Sequence, residues 1–140
     1  MTLVLDASFS LAWIFARERA DEAEQADRVL QGRGQEGWFV PSLWPLEVAN
    51  ALLVAERRGV IQPNVSEAFL RRLAALRIGV DLETLDLAQP RTLELARQHQ
   101  LSAYDATYLE LAMRLDARLA SFDRRLLLAA DAMGCGLGFA

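Results

Sequence analysis

The sequence predicts an α/β domain built on a buried parallel sheet, and three observations carry that prediction. An apolar run, Leu3-Val4-Leu5, passes directly into the carboxylate of Asp6 and then into a helical pattern marked by Leu11, Ala12, Ile14 and Phe15. A run apolar on both faces suits a central strand covered by helices on each side, the usual setting of a parallel sheet. Short apolar stretches then alternate with helical patterns along the chain, with no linker or internal repeat, so right-handed crossovers should join the strands. The 140 residues, read as a single domain over 1–140, suffice to bury a core without metal or disulfide support.

Each element follows from local chemistry. A first helix is expected over Ser8 to about Arg17, and a second over Ala20 to Leu30, where Ala23, Ala26, Val29 and Leu30 recur at helical spacing opposite a charged face. The Gly-rich run from Gly32 to Gly37 ends that helix, and Trp38-Phe39-Val40 forms a short strand stopped by Pro41. Ser42 offers a cap for a helix running from Leu43 to Gly59, a natural C-terminal stop. Pro63 opens the next helix, through Phe69, Leu70, Leu73 and Leu76, and Gly79 closes it. Val80-Asp81-Leu82 reads as a strand, Gln89-Pro90-Arg91 starts a helix reaching His99, and Ser102 starts another. Leu119 to Phe122 reads as a strand, Asp123 to Met133 as the last helix, and Leu137-Gly138-Phe139 as a final strand.

Composition narrows the function classes. No window of about 18 apolar residues occurs, and no basic segment precedes an apolar core at the N-terminus, so the expectation is a soluble cytoplasmic protein with no membrane association. The lone Cys135 has neither a disulfide partner nor companions for a thiolate metal site. A net charge of -4 and a pI near 5.0 argue against broad, salt-driven wrapping of nucleic acid. All 15 basic residues are Arg, several in pairs such as Arg57-Arg58, Arg71-Arg72 and Arg124-Arg125, which read first as solvated helix faces. The hydrophobic share of 53% points to extensive helix packing or to surface kept for a partner.

The acids carry the chemistry. Asp6 and Asp123 each follow a strand and precede a helix, which places them at carboxyl ends of strands, where open α/β sheets bind ligands; helix capping accounts for either one equally well. Glu47 and Asn50 interrupt an otherwise apolar stretch and, three apart, share a helix face. A carboxylate desolvated among Leu, Val and Trp needs an ion or hydrogen-bond donors, unless its helix lies near enough the surface to reach water. Asp105 shares an inward face with Leu101, Tyr108, Leu109 and Ala112, with Glu110 free to point out, although Ser102 to Asp105 also has the spacing of a capping box. Two acids ending strands and two facing inward from helices make a pattern that capping does not predict. Four converging carboxylates would raise one another's pKa and need divalent cations to stay ionised, and an all-oxygen donor set suits Mg²⁺ or Mn²⁺ over zinc. His99, the sole histidine, ends a helix and reads as a cap or surface residue, so serine-histidine chemistry has no candidate.

These residues resemble a known family. Asp6 with Ser8 after it, the stretch Pro41 to Leu52 containing Glu47 and Asn50, Ser102 to Tyr108 containing Asp105, and Leu119 to Leu126 containing Ser121 and Asp123 are similar, in order and spacing, to PIN-domain ribonucleases, above all the VapC toxins of bacterial VapBC toxin-antitoxin pairs. The likeness covers nearly the whole chain, and only Ser121 departs, since many relatives have Thr there. It implies a three-layer α/β/α sandwich with strand order 3-2-1-4-5. It further implies a Mg²⁺-dependent endoribonuclease, with Mn²⁺ as a possible substitute, that hydrolyses RNA phosphodiester bonds by a metal-activated water. On that reading Asp6 and Asp105 hold the main ion and Glu47 and Asp123 complete its shell, bind a second ion or orient the water, while Ser8, Asn50 and Ser121 fix the carboxylates by hydrogen bonds. Expected partners are RNA, a VapB-like antitoxin and a second copy in a homodimer. Two other readings stay open: a Mg²⁺-binding receiver- or phosphatase-like domain, against which the absence of Lys counts, and a catalytically inactive PIN-fold binding module.

Overall fold

In the computed structural model, which describes residues 1–15, 20–32 and 37–137, the chain is organised around β1 (Leu3–Leu5), whose side chains are all buried. β2 (Trp38–Val40) pairs with one edge of β1 and β4 (Arg118–Ala120) with the other, while β3 (Gly79–Val80) extends the sheet beyond β2. All pairings are parallel and the order is β3-β2-β1-β4, as the expected 3-2-1-4-5 order requires of these strands. Leu3 lies opposite both Trp38 and Arg118, and Leu5 opposite Ala120. On the outer edge of β4, Leu119 forms a parallel bridge with Gly136, just before the expected final strand; Gly138 and Phe139 of that expected strand lie outside the described residues.

The helices cover both faces of this sheet. α1 (Ala7–Leu11) and α2 (Ala20–Gln31) lead from β1 to β2, and α3 (Trp44–Arg57) and α4 (Pro63–Ala75) from β2 to β3. The return to β4 runs through α5 (Thr84–Leu87), a π-helical turn (Ala88–Thr92), α6 (Leu93–His99) and α7 (Ala103–Arg114), after which α8 (Arg124–Ala132) follows β4. Steps from β1 to β3 all travel one way and the return to β4 travels the other, so right-handed crossovers put α1 to α4 on one face and α5 to α8 on the opposite one. Contacts agree: α1 packs on α2 and α3, and α7 on α6, α8, β1 and β4. Leu3, Val4, Leu5, Phe9, Val40, Val48, Tyr108, Leu109, Leu111, Leu119 and Leu126 fill the core between them. The strand order reverses between β1 and β4, and that reversal opens a crevice at their carboxyl ends.

Several boundaries differ from the expected ones, each for a local reason. The first helix ends at Leu11, because the amides of Ala12, Trp13 and Ile14 bond carbonyls three residues back and the chain tightens into turns; residues 16–19, including Arg17, lie outside the described residues, as do 33–36 of the Gly-rich run. The third strand begins at Gly79 and stops at Val80, one residue before Asp81, whose side chain is taken by Arg114. The helix expected to start at Gln89 starts instead at Thr84, and Pro90 sits inside the wider π turn, which accommodates a residue without an N–H where an α-helix would clash. Gly59 stops α3 as expected, at φ +72°. Glu110 does not point out: it is 1% exposed and bonded to Arg114. Among the described residues no helix is long and apolar enough to cross a membrane.

Candidate active site

Asp6 closes β1, and its amide donates to the Ala120 carbonyl at 2.9 Å, which fastens the ends of β1 and β4 together. Although it occupies the position before α1, its carboxylate makes no capping bond. Oδ2 instead accepts from two hydroxyls at 2.7 Å each, Ser8 from the start of α1 and Ser121 from just past β4. Both serines are themselves fixed, since Ser121 Oγ accepts from the Asp123 amide at 2.9 Å and Ser8 Oγ from the Phe122 amide at 3.1 Å. The 6%-exposed carboxylate is therefore held from both sides of the crevice. Burial pushes its pKa up, the two hydroxyls pull it down, and the charge of Asp105 pushes it up further.

The other acids reach the same region from different elements. Glu47, half-buried in the first turn of α3, accepts at Oε1 from the Tyr108 hydroxyl, which α7 supplies from the fully buried core. Burial raises its pKa, the Tyr108 bond lowers it, and Asp6 and Asp105 raise it. Asp105 stands in the first turn of α7, where its amide donates to the Ser102 hydroxyl at 3.1 Å, so the expected cap is present alongside the acid. Burial raises the Asp105 pKa, as does the charge of Asp123, and Ser102 lowers it. Asp123 caps α8 by accepting from the Leu126 amide at 2.9 Å through Oδ1. The Tyr108 phenol is pushed far above its ordinary range, first by burial, then by Asp6 and Glu47, so it serves as a donor throughout the physiological range. Asn50, by contrast, is exposed and has no side-chain hydrogen bond among the described residues.

Four acids from four elements thus repel one another across the β1–β4 crevice: Asp6 with Asp105, Glu47 with both, and Asp105 with Asp123. Carboxylates crowded in this way, with no Arg among the described residues bonded to Asp6, Glu47 or Asp105, form a field that a hard divalent cation relieves, and their oxygens are the donors such an ion takes. With the side chains as placed, no three potential ligands among the described residues stand at ion-binding spacing. A bound ion would therefore have to draw them inward. The residues suit Mg²⁺ or Mn²⁺ by donor type, with Asp6 Oδ1, Glu47 Oε2 and Asp123 Oδ2 outside the hydrogen bonds just described.

Comparison with known proteins bears on this arrangement. The PIN domain family model matches residues 3–132. The chain belongs to the PIN domain family. This PIN domain is 33% identical over 130 residues to a protein named Ribonuclease VapC3 from Pyrobaculum aerophilum, covering 90% of the chain and 92% of the relative. A crystal structure of PAE2754, also from Pyrobaculum aerophilum, shares its fold with a TM-score of 0.66 at 22% identity, over 92% of this chain and 79% of that one. Two residues bonded within the elements that carry these acids escape a reading by sequence. Tyr108 reads as core, and it is, but its hydroxyl partner lies 61 positions away. Arg114 shows locally only its i,i+4 spacing from Glu110, while its pairing with Asp81 and Glu83 spans 33 and 31 positions.

Proposed function

We propose that this PIN domain is a divalent-metal-dependent endoribonuclease and the toxin of a toxin-antitoxin pair. The observation that carries the reading is the buried Asp6 carboxylate, held by Ser8 and Ser121 across the β1–β4 crevice with three further acids acting on it or on one another. The likeness to a relative named a ribonuclease supports it.

An RNA phosphodiester is an anion, and an acidic crevice repels both it and hydroxide, so hydrolysis there needs the carboxylate charge offset and a nucleophile available at neutral pH. Mg²⁺ or Mn²⁺, when bound, supplies charge neutralisation at the phosphate and lowers the pKa of water. Asp6 and Asp105 would hold that ion. Glu47 and Asp123 would complete its surroundings or take the proton of the attacking water, a task suited to a carboxyl whose pKa burial has raised, as it has at Glu47. Ser8 and Ser121 keep Asp6 aimed, and the exposed Arg124 and Arg125, directly after Asp123, lie where an RNA backbone would pass. Asn50 would join only from solvent.

The partners proposed are a VapB-like antitoxin and a second copy of the chain, in the cytoplasm. Leu46, Leu53, Val54, Val65 and Leu70 are exposed along α3 and α4, and a cavity of about 240 Å³ between α2 and α4 is lined by Trp13, Leu30, Phe69, Leu73 and Leu76. The test is expression and in vitro cleavage. Wild type should halt growth and cut RNA in Mg²⁺ or Mn²⁺, chelation should stop the cutting, and Asp6→Asn or Asp105→Asn should abolish both effects. Undiminished cleavage by either variant would refute the assignment, and a wild type that neither binds Mn²⁺ nor cuts RNA is a binding module.

A further inference from the structure

Tyr108 is wholly buried, yet among the described residues its hydroxyl bonds a single partner, Glu47, at 2.5 Å. If the side chain served only to fill the core, phenylalanine would fill the same space with no oxygen to satisfy. Asp105 and Tyr108 stand three apart on α7 and so share a face, which means that one helix brings to the crevice both an acid and a hydrogen-bond donor. The donor is aimed at the acid of another helix. Glu47 is half-buried, and both Asp6 and Asp105 push against it, so repulsion favours turning it outward. Among the described residues the Tyr108 hydroxyl is the side-chain group that opposes this by bonding Glu47, and it engages Oε1 while leaving Oε2 outside the bond.

We infer that Tyr108 is a positioning residue for the acidic site: its hydroxyl holds Glu47 Oε1 and keeps the α3 carboxylate turned toward Asp6 and Asp105, where a divalent cation would draw on Oε2. The inference rests on the proposed reading of these acids as cation ligands. It separates the two functions of Tyr108, since the ring belongs to the core and the oxygen to the site.

Calorimetric titration of the metal-free protein with Mn²⁺ tests it without reference to cleavage. Tyr108→Phe should weaken Mn²⁺ binding about tenfold, the lower end of what loss of a hydrogen bond to a ligand produces. Glu47→Ala should weaken it at least as much, and the double variant should bind no more weakly than Glu47→Ala alone, because a residue acting through Glu47 has nothing left to act on. A merely structural role would lower the melting temperature and leave the Mn²⁺ affinity in place. Wild-type affinity in Tyr108→Phe, or a further tenfold loss when it is added to Glu47→Ala, would overturn the inference. Wild-type affinity in Glu47→Ala, or no Mn²⁺ binding by the wild type, would overturn the reading of the acids and this inference with it. Should Tyr108→Phe fail to fold, Glu47→Asp withdraws the carboxylate from the hydroxyl by one methylene; it should lose affinity to a similar degree, and unchanged affinity would count against the role assigned to Tyr108.

Discussion

Asp6 is the residue on which folding and the proposed chemistry pull in opposite directions. Burial, and the neighbouring Asp105, raise its pKa above the ordinary 3.8, and Glu47 and Asp105 are raised as well, burial being the largest cause for each. In the unfolded chain these groups lose their protons near 4, whereas the folded chain keeps them to higher pH. Their contribution to stability is therefore complete below the unfolded values and disappears as pH rises through the raised folded values. The metal-free protein should accordingly lose melting temperature as pH rises above about 4, and Asp6→Asn should flatten that loss. At pH 7.5 the same substitution should raise the melting temperature by a few degrees, at about 2–4 °C per kcal/mol for a chain of this size, while abolishing cleavage; a melting temperature equal to or below wild type would show that Asp6 is not strained. Ser121→Ala should act the other way, since it strips one donor from Asp6 and the acceptor from the Asp123 amide. Its cost should be about 1–3 kcal/mol in urea denaturation. Sequence alone makes Asp6 legible as an acid ending a strand, but capping explains it equally well there. Only the contact with Ser121, 115 positions on, separates the two.

The loops after β2 and β3 and the far end of α7 are tied together by charge. Arg114 donates to both oxygens of Asp81 at 3.0 and 2.7 Å, to Glu110 at 2.8 Å and to Glu83 at 3.0 Å. The Asp81 carbonyl accepts from the Ser42 hydroxyl at 2.7 Å, and the Thr84 hydroxyl joins the Ser42 amide to the Asp81 carboxylate. Because Ser42 precedes the helix of Glu47 and Arg114 ends the helix of Asp105, this network anchors the helices that bring two of the acids to the crevice. Arg114→Leu should destabilise the protein by about 3 kcal/mol, the low end for breaking a buried pair, since the side chain is 20% exposed. A loss below about 1 kcal/mol in urea denaturation would place the network among ordinary surface pairs. Arg114→Lys should rescue little, because a point charge cannot span Asp81 with two bonds. The elements themselves were largely legible: β2 spans the expected Trp38–Val40, and α2 and α8 match to within a residue or so. Misreadings cluster around this network. The third strand is cut short at Asp81 by a guanidinium 33 positions on, a contact that leaves no periodic trace, and Glu110, four residues before the same guanidinium, is drawn inward with it.

At the scale of the whole molecule the proposed function poses the difficulty of bringing RNA to a chain with a net charge of -4. Counterion release rewards each phosphate that meets a cation, so an acidic protein must confine its basic groups to the path of the strand. Arg114 is committed to Asp81, Glu83 and Glu110, and Arg28 pairs with Glu24 on the exposed face of α2. Arg124 and Arg125, exposed in the first turn of α8 and directly after Asp123, are the basic residues that adjoin a proposed site acid in the chain. Two phosphate contacts on a single strand correspond to a slope of about -1.4 in log affinity against log salt, at roughly -0.7 per contact. Binding of a single-stranded RNA by catalytically silent Asp105→Asn protein, measured over a range of salt in the presence of Mg²⁺, should show a slope of this small size. Replacing both arginines with Ala should bring it close to zero and weaken binding alike across RNA sequences, as expected for contacts to backbone and not to bases. A slope several times steeper, or one the double substitution leaves unchanged, would place the RNA path on another basic surface, with the paired arginines Arg57-Arg58 and Arg71-Arg72 of the α3–α4 side the next to replace.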